Sequence, residues 1–441
     1  MFSRTIQKEL EAWYARPDRK PLMLRGARQV GKTTAVRMFA QQCRHFIEVN
    51  LDRPDHHAFY KDFLTMEDWF RGLFMLHEVP WADRSNTLVF IDEIQSAPTA
   101  IHGLRYLKEL LPEVPVIAAG SALEFVLKEL SAAPVGRVEM LVLRPLNFRE
   151  FLTATGKGSL ATSLDSIASS TALYRPLQQA FQSYLKVGGM PELVVNAGDS
   201  ARVATLASDL IASYHDDLAR FATPKTTSAL RELLMASFQR GGERIQFEGF
   251  IDRHAKRDVV RNGLKVLEDG RVIELVYPTS DVQLPLIPNP NRRPRLHPVD
   301  FGLMGHLVGM SGAGGHDNHR GTLAELVVGQ ELLAASFSPL NRLHFWTREK
   351  ARAQAEVDYL LPVAGRVIPI EVKSGAVGRL RSLHQFMERS DAPFAIRVGD
   401  LPYSEEVVSF SDQTPYRLYN LPLHLAGEIP RLAALWVTES D

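Results

Sequence analysis

The sequence predicts an α/β protein whose first part is a parallel sheet enclosed by helices. Three observations support this prediction. Pro21–Leu24 leads into a glycine-rich turn and a helical pattern, Thr87–Ile91 ends at two carboxylates, and Val114–Ala119 is a third apolar run. Continuous apolar runs are typical of strands buried on both faces of a parallel sheet. A further strand is expected over Phe46–Val49.

Composition sets limits on the function. The chain has 441 residues, which suggests about two to four domains. Lys plus Arg is 51 and Asp plus Glu is 51, so the net charge is zero. There is no global attraction for nucleic acid or membranes, and such binding must come from local patches. The lone cysteine, Cys43, excludes an intrachain disulfide and a cysteine-based zinc site, and it fits a reducing compartment.

The N-terminal residues 1–20 show an amphipathic helical pattern with mixed charges, which is unlike a signal peptide. No apolar run in the sequence is long enough to span a bilayer. We therefore expect a cytoplasmic protein with no membrane partner.

The turn Gly26–Thr33 has the pattern Gly-x-x-x-x-Gly-Lys-Thr between a strand and a helix, which is the context of a phosphate-binding loop. Gly26 and Gly31 allow a tight turn whose N–H groups point at one anion. Lys32 can reach the outer phosphates, and the hydroxyl of Thr33 can ligate Mg²⁺. An ordinary glycine-rich turn is the alternative. The predicted nucleotide contacts are Gly26, Ala27, Arg28, Gln29, Val30, Gly31, Lys32, Thr33 and Thr34.

Asp92 and Glu93 stand at the C-terminal end of an apolar strand, where parallel sheets bind ligands. Downstream of a phosphate loop they look like a Walker B motif. Asp92 would then hold Mg²⁺, and Glu93 would polarise the attacking water. Capping of the next helix is the alternative. The predicted cofactors are ATP and Mg²⁺.

Residues 136–151, GRVEMLVLRPLNFREF, resemble a signature of prokaryotic AAA+ ATPases related to the STAND and MNS groups. The resemblance implies that Ser121 senses the γ-phosphate and that Arg137 is an arginine finger or a trans sensor. A helix N-cap and a surface charge are the respective alternatives. An arginine acting in trans would require a dimer or a ring, so a homo-oligomer is one expected assembly.

The middle of the chain predicts a loop or linker over Gly156–Ser170, a helix over Tyr174–Leu185 and a Gly-Gly-x-Pro helix break at Gly188. The order expected after Ser228 is typical of a winged helix. It comprises a helix over Leu230–Phe238, a second helix after Ile245–Phe250, a third over Asp258–Glu268 and a strand over Arg271–Tyr277. Ser311–His319 is the best linker candidate.

The third of these helices carries Arg257, Arg261 and Lys265, which recur every four residues along one face. A basic stripe beside an apolar one suits a helix that contacts a nucleic-acid groove. A solvated surface face is the alternative. DNA is the expected nucleic-acid partner.

The last third of the chain places Glu325 on a helix, Asp358 on a strand, and Glu371 and Lys373 on the next strand. Residues two apart on a strand share a face, so Glu371 and Lys373 should point together. These residues resemble the catalytic core of PD-(D/E)XK nucleases. The resemblance implies that Asp358 and Glu371 hold Mg²⁺, that Lys373 orients or deprotonates the attacking water, and that Glu325 completes the site. A structural Glu–Lys pair is the alternative.

Residues 2–421 together resemble a prokaryotic family of AAA+ ATPases fused to a C-terminal domain of unknown function with restriction-endonuclease-like character. The resemblance implies four parts, which are an ATPase core (1–155), a helical lid (156–225), a winged-helix region (226–310) and a nuclease-like α/β domain (318–425). The predicted function is an ATP-hydrolysing enzyme that acts on DNA with a Mg²⁺-dependent nuclease-like domain. The alternative is a regulatory, switch-like NTPase whose C-terminal domain binds nucleic acid or protein without cleavage.

Overall fold

A computed structural model describes residues 2–121, 123–129, 136–251, 255–309, 317–348, 355–373, 380–409 and 415–440. The chain forms two compact units. The first comprises Met1–Arg144 with the short segments Asp269–Arg271 and Phe337–Leu340, and the second comprises the rest of the chain. Most residues of three of the four predicted parts belong to the second unit, but Asp269–Arg271 and Phe337–Leu340 belong to the first, and the four-part division stays a prediction.

The α-helices of the described residues are α1 Ile6–Ala15, α2 Lys32–Ala40, α3 Pro54–Lys61, α4 Met66–Leu76, α5 Pro98–Leu110, α6 Leu123–Glu129, α7 Phe148–Ala154, α8 Gly158–Ser163, α9 Ile167–Ala172, α10 Tyr174–Val187, α11 Pro191–Val195, α12 Ser200–Ala219, α13 Pro224–Gln239, α14 Arg257–Asp269, α15 Phe301–Leu307, α16 Asp317–Ala334, α17 Arg381–Met387 and α18 Ile429–Ser440. The strands are β1 Leu22–Arg25, β2 His45–Asn50, β3 Thr87–Asp92, β4 Val116–Gly120, β5 Glu139–Val142, β6 Ile273–Val276, β7 Pro278–Thr279, β8 Arg295–Pro298, β9 Phe345–Thr347, β10 Glu356–Val357, β11 Tyr359–Val363, β12 Arg366–Lys373, β13 Phe394–Gly399, β14 Ser404–Val408 and β15 Tyr416–Pro422.

The first unit is built on a five-stranded sheet in the order β2-β3-β4-β1-β5. All four of its strand pairings are parallel. The three central strands, β3, β4 and β1, are buried along their whole length. The predicted α/β class and its parallel sheet are thus confirmed, and the C-terminal ends of these strands lie along one edge.

The aromatic-rich segment between β2 and β3 contains the helices α3 and α4. The side chain of Thr65 caps α4 by accepting a hydrogen bond from the backbone N–H of Asp68. Within α4, Trp69, Phe70 and Leu73 are buried in the core of the unit. The helical spacing of these apolar residues, which bury one face, explains why the segment is ordered.

The loop predicted over Gly156–Ser170 is wrong, since α8 and most of α9 lie within it. Ser166 caps α9 by accepting a hydrogen bond from the N–H of Ser169. Ser163 donates a hydrogen bond to the carbonyl of Leu160 at 2.7 Å. Small polar residues can satisfy helix ends in this way, so polarity alone did not indicate a loop.

The helix predicted after Ile245–Phe250 falls largely outside the described residues, and the described residues 251 and 255–256 are not helical. In the segment before it, Ile245 donates a backbone hydrogen bond to the carbonyl of Pro294 at 2.9 Å, and Arg244 forms a β-bridge with Arg295. This segment is therefore engaged with the region of β8, which pairs antiparallel with β6.

The linker predicted over Ser311–His319 falls partly outside the described residues, which resume with α16 at Asp317. α10 ends at Val187, and Gly188 has φ 82°. The predicted break at the Gly-Gly-x-Pro sequence is therefore present.

The C-terminal part of the second unit holds a sheet in the order β11-β12-β13-β15-β14. β12, β13 and β15 are parallel, and the outer strands are antiparallel to their neighbours. The strand predicted to carry Asp358 is divided at that residue, because β10 pairs with β9 whereas β11 pairs with β12. Across the described residues, none of the helices combines the length and the apolar character that crossing a bilayer requires.

Candidate nucleotide site and carboxylate cluster

The phosphate loop connects the end of β1 to the start of α2. Gly31 has φ 93° and Gly26 has φ 153°, both in a region that side chains disfavour. A Cβ at Gly26 would also meet the carbonyl oxygen of Leu143. Glycine is therefore required at both positions for the loop to take this path.

Lys32 folds back into the loop that it follows. Its Nζ donates hydrogen bonds to the carbonyl oxygens of Gly26 at 3.0 Å and Ala27 at 2.9 Å. Burial lowers the pKa of Lys32 to about 8, although the carboxylates of Glu93 and Asp92 favour its charged form. The ammonium group is thus mostly charged at neutral pH and lies where phosphate oxygens can replace the two carbonyls.

The hydroxyl of Thr33 donates a hydrogen bond of 2.8 Å to Oδ2 of Asp92. Asp92 is 3% exposed. Burial raises its pKa, against the opposing effect of the Thr33 hydrogen bond. These two hard oxygen groups, side by side next to a phosphate loop, fit the Mg²⁺ that accompanies a nucleoside triphosphate.

The other predicted residues of the first unit gather at the same sheet edge. Glu93 has φ 49°, and one of its carboxylate oxygens accepts a hydrogen bond from Gln95. Ser121 directly follows β4, whose last residue, Gly120, lies beside Arg25 of β1. Ser121 therefore stands at the end of the strand next to β1, and Glu93 stands at the end of β3, which is the next strand after that.

Within the loop and α2, the side chains of Arg28, Gln29 and Thr34 are exposed. Arg137 forms an ion pair with Glu109 of α5, and its side chain is 45% exposed. In this chain the partner of Arg137 is thus a surface carboxylate of its own unit, as the surface-charge alternative expects.

Two arginines near the loop were not singled out from the sequence. Arg4, which is buried, donates hydrogen bonds to the carbonyls of Val30 at 3.0 Å and Arg144 at 2.8 Å. Arg271 donates to Glu124 at 2.5 Å, and its charge lowers the pKa of the nearby Lys32. Neither residue belongs to a local motif, so the sequence contained no signal for them beyond the Asp-Gly turn that precedes Arg271.

The structure brings the four predicted residues of the C-terminal region together in the second unit. Asp358 precedes β11 and its Oδ2 accepts a hydrogen bond of 2.8 Å from the N–H of Val372 in β12. Lys373 donates a hydrogen bond to Oε1 of Glu371, so these two side chains share a face. Glu325 of α16 reaches the same cluster, since its charge interacts with Asp358.

Burial and crowding of negative charge disfavour ionisation in this cluster. Burial, followed by the charge of Asp358, raises the pKa of Glu371 to about 8 and that of Glu325 to about 7. Burial also raises the pKa of Asp358, although the charge of Arg295 opposes this.

Arg295 of β8 is the residue that sequence reasoning missed here, together with Glu356. The guanidinium of Arg295 lies among the carboxylates of Glu325, Glu356 and Asp358. In the described part of the chain, no group of three or more His, Cys, Asp or Glu side chains is arranged to hold a metal ion. The residues present therefore do not fit the divalent ion that the nuclease resemblance implies.

Comparison with known proteins bears on these two sites. Residues 18–152 match a family model described as an AAA domain. Residues 178–314 and 320–419 match two domains of unknown function, DUF8612 and DUF4143. No curated protein sequence matches this chain.

Among solved structures, a Walker-type ATPase of Pyrococcus abyssi is 15% identical and covers 70% of this chain and 96% of its own, with a TM-score of 0.44. A STAND protein with a tetratricopeptide repeat sensor, from Pyrococcus horikoshii, is 13% identical and covers 77% of this chain and 46% of its own, with a TM-score of 0.28. The family match and the geometry of the phosphate loop agree that residues 18–152 are similar to an AAA domain.

Proposed function

We propose that the chain binds ATP with Mg²⁺ at Gly26–Thr33 and hydrolyses it with the help of Asp92 and Glu93. The observation that supports this most directly is the 2.8 Å hydrogen bond between Thr33 and Asp92, beside the buried ammonium of Lys32. It places a hydroxyl, a carboxylate and a cation around one loop, which is what binding a metal–triphosphate complex requires.

Each residue has a distinct role in this proposal. The N–H groups of the loop and Lys32 bind the phosphates, and Thr33 and Asp92 would hold Mg²⁺, which supplies charge neutralisation when bound. Glu93 orients a water molecule and accepts its proton as the bond between the γ-phosphorus and the ADP oxygen breaks. Gln95, which donates to Glu93, keeps that carboxylate in place.

The test is ATP binding and turnover in Lys32→Ala and Glu93→Gln proteins. Lys32→Ala should lose affinity, whereas Glu93→Gln should bind ATP and hydrolyse it at least about 100-fold more slowly. Lys61→Ala, which removes an exposed lysine of α3, is the matched control and should behave as wild type. A Lys32→Ala protein with unchanged turnover would overturn the proposal.

We further propose that ATP turnover is coupled to DNA through the second unit. The order α13, the Arg244 bridge, α14, β6, the short strand β7 and β8 supports a winged-helix interpretation of this region. On α14, Arg257, Arg261 and Lys265 are exposed, and Lys265 also pairs with Glu268 at 2.7 Å. A basic exposed helix face of this kind can neutralise backbone phosphates.

DNA binding is tested by fluorescence anisotropy with single-stranded, duplex and branched DNA over a range of salt concentrations. Replacing the three basic residues of α14 by alanine should weaken binding and flatten its salt dependence. Replacing the exposed Arg220, Lys225 and Arg231 removes the same charge elsewhere and should have a smaller effect. Equal losses in the two triple variants would contradict a specific role for α14.

For the C-terminal cluster, the arrangement of Arg295 favours the alternative in which this region binds a partner without cleaving it. The Mg²⁺-dependent nuclease hypothesis predicts nicking of plasmid DNA that is lost in Asp358→Ala and Lys373→Ala and kept in Glu93→Gln. The binding alternative predicts no nicking in any of these proteins, including wild type.

A homo-oligomer remains part of the proposal through Arg137. In an assembled ring or dimer, this half-exposed arginine would leave Glu109 and contact the nucleotide of a neighbouring copy. The expected result is concentration-dependent ATPase activity that Arg137→Ala abolishes without changing ATP affinity.

A further inference from the structure

The carboxylate cluster of the second unit contains a cation that belongs to the protein. Nη1 of Arg295 lies 3.4 Å from Oε2 of Glu325, and Nη2 lies 3.6 Å from Oδ1 of Asp358 and forms an ion pair with Glu356. Nη1 also donates a hydrogen bond of 3.3 Å to the backbone carbonyl of Asp358. One guanidinium thus contacts carboxylates from a helix and from two stretches of the sheet region.

We infer that Arg295 takes the place that a divalent metal ion would take in a nuclease-like site, so that this cluster is held together by the protein's own charge. The inference rests on the alternative favoured above, in which the C-terminal region binds without cutting. It also explains why the region would not cut, since the guanidinium of Arg295 already fills the position that a metal ion would need.

Arg295 is fixed at this position from several sides. It is 5% exposed, and its guanidinium lies 4.9 Å from the ring centre of Phe345 and 5.9 Å from that of Tyr359. Its backbone belongs to β8, which is paired with β6. A planar guanidinium between aromatic rings and carboxylates makes both ring contacts and ion pairs. Its departure would leave three carboxylates without their counter-ion in a buried place, which is strongly unfavourable.

The remaining carboxylate has a cation of its own. Lys373 donates to Oε1 of Glu371, while Oε2 of Glu371 is buried without a hydrogen-bond partner. An incoming divalent ion that used that oxygen together with Asp358 would approach Arg295, which lies 3.6 Å from Oδ1 of Asp358, and like charges repel strongly where water is scarce. Because Lys373 belongs to the nuclease-like pattern itself, Arg295 is the cation that distinguishes this cluster.

The chemical consequence concerns the attacking water. In metal-dependent cleavage of a phosphodiester, the ion lowers the pKa of a bound water and stabilises charge on the phosphate. A guanidinium has no open coordination position and cannot ligate a water oxygen in this way. The cluster thus lacks a metal-bound water as a source of hydroxide, whereas its fold remains available to bind a partner.

The experiment is Mn²⁺ binding to the full chain without nucleotide, followed by electron paramagnetic resonance. Wild type, Asp92→Asn and Asp358→Asn are compared. We expect that any Mn²⁺ bound by wild type is retained in Asp358→Asn and reduced in Asp92→Asn, because it sits at the phosphate loop. Binding that survives Asp92→Asn and disappears in Asp358→Asn would overturn the inference.

A second arm removes the internal cation. Arg295→Gln should gain at least about tenfold in Mn²⁺ affinity, corresponding to about 1.4 kcal/mol, and an added Asp358→Asn should abolish the gain. Arg295→Lys keeps the charge and should show no gain. If Arg295→Gln does not fold, the wild-type arm still decides. A folded Arg295→Gln protein that gains no affinity for Mn²⁺ would overturn the inference. The ATPase proposal is tested separately, by the loss of ATP turnover in the Lys32 and Glu93 variants.

Discussion

Arg4 donates a hydrogen bond of 3.0 Å from Nη1 to the carbonyl oxygen of Val30, inside the phosphate loop. Its Nη2 donates to the carbonyl of Arg144, just after β5. One buried side chain therefore ties the curved backbone of the loop to the segment that follows the edge strand. Because the loop must present its N–H groups in one orientation, Arg4 acts as a positioning residue for nucleotide binding.

We predict that Arg4→Ala weakens ATP affinity by about tenfold, or about 1.4 kcal/mol, as measured by titration with a fluorescent ATP analogue. The loop loses a support but keeps all of its own residues, so the protein should still bind. Arg53→Ala, which removes an exposed arginine paired with Asp55 just before α3, is the control and should bind normally. Identical losses in both proteins would argue against positioning by Arg4.

Thr33→Val should separate nucleotide binding from hydrolysis. The change removes the hydroxyl that lies 2.8 Å from Asp92 while keeping the side-chain shape. We expect turnover to fall by about 100-fold, with little change in ATP affinity measured without Mg²⁺. Unchanged turnover over a range of Mg²⁺ concentrations would show that the hydroxyl has no part in holding the metal.

Arg271→Ala should reduce affinity for ATP more than affinity for AMP. The charge of Arg271 acts on Lys32, so it adds to the positive potential around the phosphate loop. Its partner Glu124 also forms an ion pair with Arg25, which keeps that carboxylate neutralised after the change. Equilibrium competition between the two nucleotides measures the ratio, and an unchanged ratio would contradict the prediction.

Glu331 predicts a pH dependence of stability in the second unit. Its Oε1 accepts hydrogen bonds from the hydroxyl of Tyr184 at 2.7 Å and the N–H of Phe148 at 2.9 Å, and burial raises its pKa from 4.5 to about 8. The folded state thus favours the neutral acid. This stabilisation is complete below about pH 4.5 and is lost as the pH rises through about 8.

Thermal unfolding followed from about pH 5 to about pH 8 should show wild type losing up to about 1.4 kcal/mol of unfolding free energy per pH unit from this group. Glu331→Gln cannot ionise and should flatten that slope. The exposed Glu232→Gln on α13 should leave the slope as in wild type. A slope unaffected by Glu331→Gln would mean that other groups set it.

The sequence predicted the parallel sheet and the phosphate loop because both follow from local patterns. An apolar run directly precedes Gly26, and a second apolar run directly precedes the carboxylates that begin at Asp92. Each of these patterns lies within a single strand and the turn that follows it. The shared face of Glu371 and Lys373 likewise follows from the two-residue period of a strand. For Gly156–Ser170 the loop was predicted from small and polar composition alone. That prediction failed because side chains such as Ser166 cap helices in this stretch.

The residues that complete the two sites could not be predicted in this way. Arg4 contacts a carbonyl 26 positions later in the chain, and Arg295 contacts the carbonyl of Asp358, which is 63 positions away. Such contacts depend on tertiary packing and leave no periodic trace in the sequence. Arg295 stands in a proline-rich stretch of the sequence, which gives no indication that its partners are the carboxylates of Glu325, Glu356 and Asp358.

The first unit is not continuous in sequence, which affects the design of any fragment meant to contain it. In the edge strand β5, the N–H of Val142 donates a hydrogen bond of 2.8 Å to the carbonyl of Phe337, which lies far beyond Arg144 in the sequence. Asp269–Arg271 belongs to the same unit. A fragment that stops at Arg144 would carry the whole phosphate loop and still lack two pieces of its own fold, so its behaviour in isolation cannot stand for that of the intact chain.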